Sequence, residues 1–167
     1  RNRCCTGCHG AMVKGGSRTE GGAQVAIVNT DGTGFHEVTS GANNHGFPSR
    51  APDGKRLVYR SFGPDGEGLR VMDLETRAVT RLTEGYDNFP LWSPRGDLIM
   101  FSRQAQGAFE IYTVKPDGPG VERLTFSKGN DAHTSWTPDG ALIVWACSQM
   151  GFTSEGTSNA APQPPAE

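Results

Sequence analysis

The stretch Phe89-Pro90-Leu91-Trp92-Ser93-Pro94-Arg95-Gly96 decides the fold, because the chain carries it three times. It returns as Phe47-Pro48-Ser49-Arg50-Ala51-Pro52-Asp53-Gly54 and as His133-Thr134-Ser135-Trp136-Thr137-Pro138-Asp139-Gly140, with the shared prolines at 52, 94 and 138, intervals of 42 and 44 residues. A second marker keeps the same step: Glu37-Val38-Thr39, Arg81-Leu82-Thr83 and Arg123-Leu124-Thr125, separated by 44 and 42 residues. A period of roughly 40–45 residues with strand-like content is that of a four-stranded propeller blade. Helical repeats of that length need an uninterrupted 3.6-residue periodicity, which glycine and proline break here.

Working outward from the turn, the runs Leu57-Val58-Tyr59, Leu98-Ile99-Met100-Phe101 and Leu142-Ile143-Val144-Trp145 are short, apolar and rich in branched and aromatic residues, so they read as strands. Their continuous hydrophobicity predicts burial on both faces, as for an inner strand sandwiched between neighbouring blades. Third strands follow at Leu69 to Asp73 and Glu110 to Val114, with Gln24 to Asn29 as the N-terminal counterpart. Fourth strands follow at Val79 to Leu82, Val121 to Leu124 and His36 to Thr39, after turns such as Asp31-Gly32 and Asp117-Gly118. The fold class is therefore all-β, a partial propeller with about three blades' worth of strands. The 23 glycines and 11 prolines among 167 residues fit a chain of many tight turns.

These motifs resemble the PD40, or WD40-like, repeats of TolB-type propellers. The resemblance is carried by Trp92-Ser93-Pro94 with Gly96, by Ile111-Tyr112, by Asp117-Gly118 and by Arg123-Leu124-Thr125, and it spans about Gln24 to Phe152. Arg50 stands where the pattern has an aromatic, Arg95 replaces the turn aspartate and Glu75-Thr76 replaces Asp-Gly. The resemblance implies a non-catalytic binding or scaffolding module, periplasmic or secreted, that takes a protein, a peptide or a small polar ligand on its axial face. Similar propellers also gate prolyl-oligopeptidase-type serine peptidases, which need an α/β-hydrolase domain outside this sequence.

Three segments are expected: an irregular stretch at 1–22, blades over 23–152, and a Ser-, Gly-, Ala- and Pro-rich tail at 153–167. A propeller closes with about four to eight blades. The blades are thus expected either to belong to a longer polypeptide or to associate with a second copy, giving six.

A net charge of −2 and a pI of about 6.1 give no concentrated positive surface, which argues against nucleic acid as a partner. No apolar run approaches membrane-spanning length. Nucleophile-elbow, Walker, zincin and calcium-loop motifs are all absent from the sequence.

Two constellations could carry chemistry. Cys5-Thr6-Gly7-Cys8-His9 has the spacing that attaches haem c, with Cys5 and Cys8 forming thioethers and His9 ligating iron. Strands begin by about Gln24, which leaves no room for haem-wrapping helices, so the end of an upstream segment is the competing reading. Superposing the repeats also aligns His45, Asp87 and Asp131 just before the first strand of each blade, with Asn44 and Asn130 preceding and Asn88 and His133 close by. Such a ring of carboxylates, amides and imidazole suits a divalent cation or a hydrogen-bonding ligand at one axial opening. The same residue types also serve simply as turn formers. Trp92, Trp136 and Trp145 are expected in the blade core, and Cys147 as a small, at least partly buried thiol.

Overall fold

The computed structural model describes residues 22–126 and 129–148. Twelve strands are found among them, all pairing antiparallel. Two complete four-stranded blades stand in the middle. The first comprises β3 (Asn44–Arg50), β4 (Arg56–Phe62), β5 (Gly68–Asp73) and β6 (Val79–Arg81); the second comprises β7 (Asp87–Trp92), β8 (Ile99–Ala105), β9 (Ala108–Val114) and β10 (Glu122–Arg123). They are flanked by two-stranded sheets, β1 (Ala26–Ile27) with β2 (His36–Glu37), and β11 (Asp131–Trp136) with β12 (Ile143–Cys147). The all-β partial propeller read from the repeats is thus the observed architecture. The segments 1–21 and 149–167, with Cys5, Cys8, His9 and the tail, lie outside the described residues.

Both repeat markers have a physical reason. The turn before each second strand closes through paired backbone bonds: Ala51 N–H to Arg56 O and Gly54 N–H to Ala51 O, repeated at Ser93/Leu98 with Gly96 and at Thr137/Leu142 with Gly140. Closing it needs a left-handed residue, and Gly54, Gly96 and Gly140 sit at φ of 73°, 74° and 70°. Asp53 and Asp139 accept backbone N–H groups two residues on. Where Arg95 replaces that aspartate, Asp97 instead accepts the Ser93 hydroxyl at 2.7 Å.

The threonine of the second marker ties the fourth strand to the third. Thr39, Thr83 and Thr125 accept the backbone N–H groups of Val25, Leu69 and Ile111 at 2.9, 3.0 and 2.9 Å. Each hydroxyl then donates onward, to Gln24 Oε1, to the Asp87 carboxylate and to Glu110 Oε2 respectively. Beside Thr83 the chain must carry glycine: a Cβ at Gly68 would lie 2.2 Å from the Thr83 carbonyl oxygen, and its φ is +123°.

Alternation along a strand distributes the core between neighbours. Leu57, Tyr59 and Met72 pack with Val25 on one side of the first blade, while Val58, Leu69 and Val71 face Trp92, Ile99, Phe101 and Val114 of the second blade on the other. That division explains the continuous apolar runs. The last hairpin departs from expectation. Val144 is 62% and Trp145 41% exposed, although Met100 and Phe101 at the same repeat positions are fully buried. Cys147 is exposed as well. The reason is local: β12 pairs only with β11 among the described strands, so its outer edge and one face of the hairpin are uncovered.

Candidate functional site

The sequence places His45, Asp87 and Asp131 ahead of the inner strands, but they lie inside them. Asp87 and Asp131 open β7 and β11, and His45 is the second residue of β3, after Asn44. Each faces a second-strand residue directly: His45 opposite Ser61, Asp87 opposite Arg103 and Asp131 opposite Cys147. All three are buried, with Asp87 and Asp131 each 1% exposed. They are therefore strand residues rather than turn formers.

Their environments differ. Asp87 accepts Nε and Nη2 of Arg103 at 2.7 and 2.8 Å together with the Thr83 hydroxyl, so both of its oxygens are committed within the fold. Hydrogen bonding to Asp87, with its charge alongside, holds the Arg103 guanidinium even more firmly protonated than usual. His45 stands edge-on to Tyr59, ring centroids 5.3 Å apart, and among the described residues its buried Nδ1 has no partner within hydrogen-bond geometry. Burial pushes this imidazole below its ordinary pKa. Asn88 is buried and accepts Arg60 Nη1 at 2.5 Å, Asn130 Oδ1 accepts the Phe109 N–H at 2.8 Å, and Asn44 is exposed. Among the described residues no three His, Cys, Asp or Glu side chains converge as a metal-binding group.

The inner strands do bring together a row of residues that the repeat alignment shows without revealing its geometry. Phe47, Phe89 and His133 occupy the same position in successive blades and have φ of 51°, 51° and 53°. For bulky side chains this is a strained region, costing of order 1–3 kcal/mol each. The strain sits at a register shift in each strand, between Gly46 and Ser49, Asn88 and Leu91, and Ala132 and Ser135. Such bulges re-aim a side chain. The re-aimed rings meet across blades: Phe47 and Phe89 have centroids 4.3 Å apart, Phe89 and His133 4.8 Å, and the Arg60 guanidinium lies 4.7 Å over Phe47. Phe47 is 38% exposed and His133 is exposed too, so the row is open rather than sealed in the core. Phe47 and Phe89 were passed over in the sequence reading, although an aromatic ring recurs two residues after each of His45, Asp87 and Asp131 and is the signal from which the row could have been found.

Elsewhere, a shallow hollow of about 430 Å³ lies among Arg81, Leu82, Thr83, Glu84, Arg103 and Val121. Its cations already have partners, Arg81 in Glu84 at 3.1 Å and Arg103 in Asp87.

Antiparallel four-stranded blades whose inner strands stack side by side define a β-propeller repeat protein. The family model for the TolB β-propeller domain, PD40, matches residues 11–154, and the chain belongs to this family. A Protein TolB homolog of Chlorobium luteolum is 34% identical over 150 residues, covering 81% of this chain and 34% of the relative. The crystal structure of TolB from Acinetobacter baumannii superposes with a TM-score of 0.66 at 28% identity, over 74% of this chain and 31% of that one. The chain thus spans about a third of the length of these relatives. An oligogalacturonate lyase in complex with manganese, at 16% identity and a TM-score of 0.56 over 72% of this chain and 35% of that one, shares the fold alone. Among the described residues no helix is long and apolar enough to cross a membrane.

Proposed function

We infer that this chain is part of a non-catalytic TolB-like propeller that binds a protein or peptide partner through its axial face, in the periplasm or outside the cell. The observation that carries the reading is the row of Phe47, Phe89 and His133. Three blades repeat the same strained backbone at the same position, and each uses it to turn a ring out of the ladder. Strain kept in every repeat, when an extended residue would serve the ladder better, favours a binding surface. Aromatic rings offer large contact area at low entropic cost, which suits an extended peptide. The neighbouring polar residues, by contrast, hold the blades: Asp87 is engaged by Arg103 and Asn88 by Arg60.

The test is selection of phage-displayed peptides on the protein, followed by affinity measurement against a Phe47→Asn/Phe89→Asn variant. Asparagine tolerates the left-handed conformation, so the blades persist while the rings are lost. Peptides retained by the native protein and lost by the variant, at unchanged melting temperature, support the reading. Equal retention by both overturns it.

A further inference from the structure

The three inner hairpins pose the same question at one position and answer it differently. Directly opposite residues on antiparallel strands share a face, with Cβ atoms about 4.5–5.5 Å apart. In the first blade a neutral pair, His45 and Ser61, fills the position. In the second, Asp87 meets Arg103, which grips it with two nitrogens, while Thr83 donates from the preceding blade. In the last hairpin an equally buried carboxylate, Asp131, meets Cys147.

Among the described residues, neither donor that neutralises Asp87 has a counterpart at Asp131. A thiol stands where Arg103 stands, and Thr125, the equivalent of Thr83, donates to Glu110 instead. Among the described residues no lysine or arginine forms an ion pair with Asp131, and its Oδ1 is buried without a hydrogen-bond partner. A buried carboxylate is strongly unfavourable unless a donor or a cation meets it.

We propose that Asp131 is a receptor for the guanidinium of an arginine carried by the axial partner, entering over Cys147 along the path that Arg103 takes in the neighbouring blade. The inference rests on the reading of the axial face as a partner-binding surface. Arg103 shows what the position accepts: a planar fork delivered through Nε and Nη2, from a side chain that is itself 23% exposed and so approaches from the solvent side. Cys147 is exposed and far shorter, so β12 does not fill that path with a side chain of its own. Arginine is favoured over lysine because only the guanidinium makes the two-pronged contact seen at Asp87.

The probe is Nα-acetyl-arginine amide, titrated into the protein while the Asp131 carboxyl carbon is followed by NMR, with the uncharged isostere Nα-acetyl-citrulline amide alongside. Saturable binding of the arginine derivative with a shift at Asp131, and none with citrulline, is expected. Asp131→Asn should weaken binding about tenfold or more, the loss of one charge-assisted contact. Cys147→Arg should block binding and raise the melting temperature by roughly 4 °C or more, because the introduced arginine meets Asp131 as Arg103 meets Asp87. A folded Cys147→Arg protein that melts no higher and still binds the arginine derivative overturns the proposal, as does equal binding of citrulline. If these fail while Phe47→Asn/Phe89→Asn still abolishes peptide retention, the arginine site falls and the partner-binding face stands. If the arginine site passes and the ring variant keeps its peptides, the fault lies with the aromatic row.

Discussion

Arg103→Met removes a charge that the second blade needs and leaves a carboxylate that it cannot hydrate. Methionine keeps the aliphatic stem against Phe101 and Tyr112, over whose rings the guanidinium lies at 5.3 and 5.4 Å, so the change isolates the ion pair. Asp87 is 1% exposed, whereas the Arg103 side chain is 23% exposed. Breaking a buried pair by removing one partner costs about 3–5 kcal/mol. Partial exposure of Arg103 and the surviving Thr83 hydrogen bond put this case near the bottom of that range, about 3 kcal/mol. For a chain of this size that corresponds to about 6–12 °C in melting temperature. Thermal unfolding followed by circular dichroism reads it directly, and Asp87→Asn/Arg103→Met should recover most of the loss, since no charge is then left behind. Arg95 provides the comparison: its pair with Asp97 is 3.4 Å long with side chains 65% and 51% exposed, and Arg95→Ala should cost less than about 0.5 kcal/mol. A loss below about 1 kcal/mol in Arg103→Met, matching Arg95→Ala, would refute the assignment of Asp87 as a buried, paired carboxylate.

Thr125→Val strands the Ile111 N–H and removes a donor from Glu110, so urea unfolding should show a loss of about 1–3 kcal/mol. Gly68→Ala drives a Cβ onto the Thr83 carbonyl at a φ of +123°, and soluble yield together with melting temperature should fall more steeply than for Gly107→Ala, where a Cβ meets nothing within 4 Å. His45 gives a pH dependence. Its folded pKa is depressed by burial, so as pH falls the unfolded chain takes the proton first, near 6.5, and stability is lost from just above that value down to the folded pKa. His45→Gln should flatten the denaturation midpoint across that window; an unchanged slope would place the titrating group elsewhere.

Much of the architecture was legible because the markers are themselves structural parts. A glycine near φ +70° closes each turn and a threonine staples each outer strand, so their 42- and 44-residue spacing could not recur without recurring blades. The candidate site was legible as a set of positions but not as an environment. Whether an inner-strand acid is neutralised depends on which residue lies across the hairpin, past a bulge that shifts the register, and Asp87 and Asp131 look alike until Arg103 and Cys147 are set against them. The bulge conformation was hidden because phenylalanine, unlike glycine, does not advertise a positive φ. Exposure of Trp145 was out of reach for another reason: burial of a blade's face belongs to its neighbour, not to its own residues.

The bulge also separates two tasks that most β-strands must perform with the same residues. Phe47, Phe89 and His133 have no cross-strand partner in their ladders, so the identity of each side chain is not constrained by pairing. Any residue that tolerates the left-handed backbone can stand there while the turn glycines, the threonine staples and the packed faces stay unchanged. Each blade therefore holds one position open to rewriting. If the axial face binds a partner as proposed, its specificity can change one substitution per blade without the fold being renegotiated.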